Sequence, residues 1–362
     1  MKKTVILHVC SIDNDKCNGV SVVVPNHFKY QSKSEKVGLL NCSSSEIDCL
    51  SYCNNIFLYK RYKKISRLPQ PFNHPNLVVF HEVYKTQYIF LYNYLIKNNI
   101  PYIIIPHGCL TKNAQNIKKF KKLIFNFLIF NRFINNSRRI QFLSNQEKNM
   151  SISYQKGFIL GNGMEIINLY KNCYTQKKDI KFVYVGRYSI FHKGLDILLE
   201  YCNENKEELK NNNITIDLYG NGTEEDNNIL QYKITEYKLD KIIRINAPIY
   251  DEEKRKIIVS CDFFIQLSRL EGQPLGVMEA LMLGIPSIVS DGTTFGKFVE
   301  ENDCGYRCNS NDDFKKIINM IRKSDYVNKS KNARKAAIKN FGWEKLSKDT
   351  IMKYKEIIRE SD

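Results

Sequence analysis

The stretch Ser268-Arg269-Leu270-Glu271-Gly272-Gln273-Pro274-Leu275-Gly276-Val277-Met278-Glu279-Ala280-Leu281 follows the apolar run Phe263 to Leu267. A short apolar run, then glycines and a proline, then a longer apolar segment reads as buried strand, loop and helix. Pro274 is expected in the first helical turn, where its missing N–H costs nothing. Gly272 and Gly276 let a ligand approach the backbone. The N–H groups around Leu275 and Gly276, with the positive end of the helix dipole, then form an anion site. Glu279 lies roughly 7.5 Å along the axis from Pro274, at about 1.5 Å per residue. That is the reach from a diphosphate to the ribose of the same nucleotide, and a carboxylate there accepts both ribose hydroxyls. Glu271, before the helix, is left to face the sugar. A glutamate among Val277, Met278, Ala280, Leu281, Met282 and Leu283 is costly without a partner, which favours a ligand role over a merely solvated position.

Working outward, the same strand and helix alternation fills the chain of 362 residues, a length suited to two domains. Buried-strand candidates in the first half are Thr4 to Cys10, Val37 to Leu40, Leu77 to Phe80, Tyr102 to Ile105 and Ile140 to Leu143. In the second half they are Phe182 to Val185, Ile214 to Tyr219, Ile242 to Ile245, Phe263 to Leu267 and Ser287 to Ser290. Helical patterns lie between them, Tyr84 to Lys97 for example, and the tail from Trp343 to Glu360 reads as helix. The expected fold is α/β: two tandem Rossmann-like domains of parallel sheet facing a central cleft, with ligands at the carboxyl ends of the strands. The expected boundaries are 1–167 for the first domain, 168–180 for a polar linker, 181–342 for the second domain, and 343–362 for a helix returning to the first.

Two cations and a histidine stand where such a cleft needs them. Arg187 ends the strand Val183-Tyr184-Val185-Gly186, and Lys193 opens the next helix in His192-Lys193-Gly194-Leu195-Asp196. Fixed cations at a strand end and a helix start can neutralise a leaving diphosphate without a metal ion. His107 follows a buried strand in a Pro106-His107-Gly108 turn, which puts it in a loop at the strand end. His81, after Phe80, is a weaker candidate of the same kind, and His192 is a candidate for acceptor or phosphate contact.

These residues resemble the family 4 retaining glycosyltransferases (glycosyl transferases group 1) of the GT-B fold. Glu271 and Glu279 match the family's Glu-x7-Glu motif, and Arg187 and Lys193 its diphosphate-flanking pair. Further matches are Gly19, Pro106-His107-Gly108, Ser144-Asn145-Gln146-Glu147, Asn162-Gly163 and Leu218-Tyr219-Gly220-Asn221-Gly222. The resemblance implies a C-terminal nucleotide-sugar domain and an N-terminal acceptor domain. It implies a hexosyl transfer with retention, with a UDP- or GDP-sugar as co-substrate, no metal and no other cofactor. By the same resemblance Glu271 contacts the donor sugar, Glu279 the ribose, Arg187 and Lys193 the diphosphate, and His107 the transferred sugar. The first loop departs from the family: Asn18-Gly19-Val20 has one glycine where two are common, which weakens a phosphate contact through Gly19.

The net charge is +17, and it is lopsided. Residues 1–175 hold 24 Lys and Arg against 8 Asp and Glu, while the remainder holds 31 against 30. An anionic partner for the first half follows. Nucleic acid is disfavoured because no binding module is recognisable there. An anionic membrane surface is favoured, and taken with the resemblance it implies a glycan or lipid-linked acceptor and a role in cell-surface polysaccharide synthesis. Wound as a helix, Ile117 to Ile134 puts Ile117, Phe120, Leu123, Ile124, Phe127, Leu128 and Ile134 on a core face. Phe125, Ile129 and Phe133 fall beside Lys118 and Lys122, a pattern suited to a lipid interface and nearly as well to a helix covered on both faces. No apolar run is long enough to span a bilayer, and the first residues read as a strand rather than a signal peptide. A cytoplasmic, membrane-peripheral protein is expected. The 11 cysteines are scattered without metal-ligand spacing, which points to free thiols.

Asp13-Asn14-Asp15 has the letters of a metal-dependent transferase motif but lies very early in a polar loop. A dinucleotide-dependent dehydrogenase fails because Gly220-Asn221-Gly222-Thr223-Glu224-Glu225 lacks the third glycine. The alternative to an enzyme is a non-catalytic basic membrane-surface or nucleic-acid binding protein on a transferase fold. Such a relative is expected to have lost some of Glu271, Glu279, Arg187 and Lys193, and all four are present.

Overall fold

The structure is a computed structural model and describes residues 3–15, 18–43, 47–51, 53–112, 130–152, 156–172, 179–322 and 325–360. The chain divides into two compact units, Met1–Gly163 with Trp343–Asp362, and Met164–Gly342.

In the first unit the strands are β1 (Val5–Cys10), β2 (Lys36–Asn41), β3 (Ile56–Leu58), β4 (Leu77–His81), β5 (Tyr102–Ile105), β6 (Arg139–Phe142) and β7 (Gly157–Ile159). They form one sheet in the order β3-β2-β1-β4-β5-β6-β7, every pair parallel. In the second unit β8 (Ile180–Val185), β9 (Ile214–Tyr219), β10 (Ile243–Asn246), β11 (Phe263–Gln266), β12 (Ser287–Val289) and β13 (Gly305–Arg307) form the order β10-β9-β8-β11-β12-β13. These pairs are parallel too. In both sheets the order reverses beside the first strand, between β1 and β4 and between β8 and β11. A reversal opens a crevice at the carboxyl ends of those strands, the usual ligand position in open α/β sheets.

Continuous apolar runs make these strands because both faces are covered. In the first unit Leu7, Val9, Val78, Phe80, Tyr102 and Ile104 pack on one side. Ile6, Leu77, Val79, Ile103 and Ile105 pack on the other with Tyr354 and Ile357, which belong to the helix Trp343–Arg359. Alternation at period two therefore places His8 beside Ile6, and His81 beside Leu77 and Val79, on the side covered by that helix.

Three strands, β3, β7 and β13, were not expected from the sequence. Each has three residues and lies at a sheet edge, too short for a periodic signal. The apolar segment Val20 to Phe28 lies within the helix Gly19–Gln31, which has Pro25 inside it.

The unit boundary falls at Gly163 and Met164 rather than after residue 167. Part of the expected linker is tied to the second unit: the Lys171 N–H donates to Leu283, and its ammonium to the carbonyls of Val259 and Cys261 at 3.2 and 3.0 Å. A polar stretch looked like a connector because its hydrogen-bonding partners are remote in sequence.

The basic segment 113–129, with Lys118, Lys119, Lys121 and Lys122, lies outside the described residues. Beyond residue 129 the expected helical wheel is not followed. Phe133, expected on the lysine side, is fully buried and stacks on Tyr102 with ring centroids 5.5 Å apart. Aromatic burial against Phe80, Tyr92 and Tyr102 decides its place. Among the described residues no helix is long and apolar enough to cross a membrane. Cys10, Cys42, Cys53, Cys109, Cys202, Cys261, Cys304 and Cys308 are free thiols, all but Cys53 and Cys109 buried.

Candidate functional site

In the second unit the segment 268–282 leaves β11 as a loop and enters the helix Leu275–Met282. Pro274 is the N-cap rather than the first helical residue, and no side chain caps the helix. Its carbonyl accepts from Met278 at 3.1 Å. The N–H groups of the first turn lack intrahelical acceptors, so this end favours an anion. The two glycines differ. A Cβ at Gly272 would meet nothing within 4 Å, whereas one at Gly276 would lie 3.0 Å from the Phe264 ring and 3.4 Å from the Val185 carbonyl. Gly276 lets the helix start press against the ends of β8 and β11, and Gly272 leaves open space.

Glu271 is held firmly. Its Oε1 accepts from Lys193 Nζ at 2.6 Å, Gln266 Nε2 at 2.8 Å and Ser268 Oγ at 2.9 Å. Hydrogen bonds to a charged group are each worth about 1.5–3 kcal/mol, so the side chain is oriented before any ligand arrives. Lys193 reaches Glu271 because Gly194 turns left-handed, at φ 65°. A Cβ there would lie 2.0 Å from the Leu267 carbonyl oxygen, so only glycine fits. Arg269 locks the same junction: its guanidinium donates to the Phe191 carbonyl at 2.8 Å and pairs with Asp196 at 2.7 Å.

Glu279 is mostly buried on the helix. It pairs with Lys254 at 2.7 Å and, more distantly, with Arg255 at 3.8 Å. Arg187 is exposed in the loop after β8. The Tyr184 hydroxyl donates to the Arg187 carbonyl at 2.9 Å, fixing the backbone but not the guanidinium. Burial first, then the nearby Glu271 carboxylate, pushes the Tyr184 hydroxyl well above its ordinary range, so it stays a donor. Among the described residues Arg187 makes no ion pair. The expected residues of this unit are thus gathered along β8, β11 and the helix after it, with Lys193 and Glu271 in direct contact, whereas His107 and Gly19 belong to the first unit. Sequence reading missed Gln266, Ser268, Tyr184, Arg269 and the pair Lys254 and Arg255. The last two sit inside an ordinary charged helix pattern, Asp251-Glu252-Glu253-Lys254-Arg255-Lys256, that carries no signal of its own.

In the first unit, Gly19 begins a helix capped by Asn18, whose side chain accepts from Val20 at 3.1 Å. Asp13 accepts from Ser21 Oγ and from the Asp15 N–H, both at 3.1 Å, a local loop arrangement. His107 has φ 50°, a left-handed backbone that costs energy and recurs at functional sites. The buried Glu147 holds that turn, accepting from the N–H groups of Gly108 at 2.5 Å and Leu143 at 2.6 Å. Burial pushes its carboxyl up while both N–H groups pull it down. This gives Ser144-Asn145-Gln146-Glu147 a physical task.

His107 is not alone. Its Nε2 lies 3.0 Å from His81 Nδ1, and His81 Nε2 lies 2.9 Å from His8 Nδ1. His8 Nε2 meets Gln31 Oε1 at 2.9 Å, Gln31 Nε2 meets His27 Nδ1 at 3.4 Å, and His27 Nε2 meets Asn162 Oδ1 at 3.1 Å. His8, His27 and His81 are fully buried. Burial, reinforced by the neighbouring His27, lowers His8 and His107 to about 3, and burial lowers His27 to about 4. His81 is driven well below its ordinary value by burial and then by its three histidine neighbours. Four of the six histidines are therefore neutral at physiological pH.

Residues 167–340 match the family glycosyl transferases group 1. The whole chain is similar in fold to solved structures. Anabaena HepE in complex with UDP is 15% identical with a TM-score of 0.72, covering 98% of this chain and 100% of that one. A glycosyltransferase from Rickettsia africae is 15% identical with a TM-score of 0.75, covering 99% of each. The apo lipopolysaccharide outer core galactosyltransferase WaaB is 15% identical with a TM-score of 0.68, covering 97% and 100%. No curated protein matches the chain. Two parallel-sheet α/β units of this kind are the fold of GT-B glycosyltransferases, and the match to glycosyl transferases group 1 spans nearly all of the second unit.

Proposed function

We propose that this chain transfers a hexosyl group from a nucleotide sugar to a glycan or lipid-linked acceptor, with retention and without a metal ion. The observation that carries the reading is the site after β8 and β11. It combines a carboxylate fixed by Lys193, Gln266 and Ser268, an uncapped helix start, and a second carboxylate eight residues on, at Glu279. The diphosphate would lie at the helix start, facing Arg187 and Lys193. Glu279 would take the ribose hydroxyls in exchange for part of its pairing with Lys254. UDP is the first nucleotide to try, because Anabaena HepE was solved with UDP and with UDP-glucose.

In the reaction the bond from the sugar's anomeric carbon to the diphosphate oxygen breaks, and the diphosphate leaves with the electron pair. The acceptor oxygen bonds to the anomeric carbon on the same face and gives its proton to the departing oxygen. Charge grows on the diphosphate, where Arg187, Lys193 and the helix dipole act. The sugar gains oxocarbenium character, beside Glu271. The cations supply the field that a divalent ion provides elsewhere.

The test is UDP release from a panel of UDP-hexoses, with and without EDTA. Slow hydrolysis or transfer that survives chelation supports the reading. UDP that fails to bind, or activity abolished by EDTA and restored by manganese, overturns it. The charge of the first half, 24 basic against 8 acidic residues over 1–175, extends the proposal to docking on anionic lipid, where a lipid-linked acceptor for surface polysaccharide would be met. Co-sedimentation with anionic vesicles at low salt tests this, and no binding there sinks it.

A further inference from the structure

The histidine line in the first unit has a direction. Gln31 presents its carbonyl oxygen to His8 and its amide nitrogen to His27. An oxygen acceptor requires a proton on His8 Nε2. Because His8 is neutral, its Nδ1 is then bare and must accept, so His81 carries its proton on Nε2. The same step repeats: His81 Nδ1 is bare, and His107 donates from Nε2. On the far side the Gln31 N–H donates to His27 Nδ1, and His27 donates from Nε2 to Asn162 Oδ1. Every bond in the line runs the same way. One amide, in the helix Gly19–Gln31, thereby dictates the tautomer of an imidazole two strands away.

We propose that His8, His81 and Gln31 are positioning residues that lock His107 as the Nε2–H tautomer, leaving Nδ1 as a bare hydrogen-bond acceptor for a ligand hydroxyl. Among the described residues His107 Nδ1 takes no hydrogen bond, and the residue keeps part of its surface exposed. A bare imidazole nitrogen welcomes an O–H donor and repels carbonyl or phosphate oxygens. The aligned bonds also polarise one another, which strengthens Nδ1 as an acceptor. The reverse line would make Nδ1 a donor, and it requires the Gln31 and Asn162 amides both to turn over and all four imidazoles to change tautomer. The line explains why three polar rings occupy strand and helix positions that otherwise bury aliphatic side chains.

The substrate role of His107 rests on the glycosyltransferase reading, but the tautomer does not, so the two fail separately. The primary experiment is a two-bond proton–nitrogen correlation spectrum of the full chain labelled with 15N-histidine at pH 7, assigned with single variants. His8, His81 and His107 are expected to be protonated on Nε2 alone. Protonation of any of them on Nδ1, or on both nitrogens, overturns the proposal. Gln31→Met removes the amide while leaving every ring in place, and is expected to convert His107 to a tautomer mixture. An unchanged His107 spectrum in that folded variant also overturns it. With a turned-over sugar in hand, Gln31→Met and His81→Phe are expected to lower kcat roughly tenfold with UDP affinity unchanged. His81→Gln, which keeps one acceptor and one donor, should recover part of the loss. Equal kcat in all four proteins would remove the positioning role.

Discussion

The two sheets reverse their strand order at equivalent places, and the chemistry placed there is opposite. After β8 and β11 the site is charged: Arg187 exposed, Lys193 on Glu271, Lys254 on Glu279. At β1 and β4 it is neutral and sealed: His8 and His81 are fully buried and bonded only to other neutral groups. One architecture can thus serve ionic binding or tautomer control. What separates them is solvent access. Charges survive at the loops and helix start after β8 and β11, where water remains, whereas burial between β1, β4 and the helix Gly19–Gln31 removes charge from the imidazoles.

The comparison is tested most severely by removing a cation. Arg187→Ala or Lys193→Ala is expected to cut the rate of UDP release from the sugar donor by about 10²–10³. Lys193→Ala should also loosen Glu271, visible as a fall in Tm, while Arg187→Ala should not. Rates within a few-fold of wild type for both would break the charged half of the comparison.

The neutral half predicts acid sensitivity. The folded values of His8, His27 and His107, about 3, 4 and 3, lie below the ordinary 6.5. The unfolded chain therefore binds more protons as pH falls. Their stabilisation is whole above about 6.5 and is lost progressively towards 4 and below, by about 1.4 kcal/mol per pH unit for each ring. Trp343 is the only tryptophan and lies edge-on to His27 at 4.8 Å, so its fluorescence reports this unit alone. An acid transition between pH 6 and 4 is expected there, and fluorescence unchanged down to pH 4 would contradict the sealed, neutral line.

A smaller effect separates the two carboxylates. Glu279→Ala is expected to weaken UDP binding about tenfold or somewhat more, the worth of hydrogen bonds to a charged acceptor. Glu271→Gln should leave UDP affinity nearly intact and lower turnover. Equal UDP affinity in wild type and Glu279→Ala, measured by calorimetry, removes the ribose assignment. The smallest expected change is in stability for Gly272→Ala, within about 0.5 kcal/mol by urea titration, because its Cβ enters open space. UDP affinity should fall all the same if the diphosphate needs that space, and unchanged affinity would move the ligand away from Gly272.

Long periodic segments were legible in the sequence because each buried strand or helix repeats its own signal. Tyr102–Ile105 and Ile214–Tyr219 were read with their observed ends, and the tail helix from Trp343 nearly so. The placement of Glu271, Glu279, Arg187 and Lys193 was legible for a related reason: each sits within a few residues of a strand or helix end. Only the tertiary structure paired Glu279 with Lys254 and gathered Gln266 and Ser268 on Glu271. It also buried Phe133 and tied Lys171 to the carbonyls of Val259 and Cys261. The histidine line is the extreme case. His8, His27, Gln31, His81, His107 and Asn162 are scattered over 155 positions and share no motif, because a hydrogen bond depends on distance and direction in space, which local sequence does not encode. A parallel sheet sets β1 beside β4, and the helix after β1 covers them. Tertiary packing alone turns isolated polar residues into a directed line.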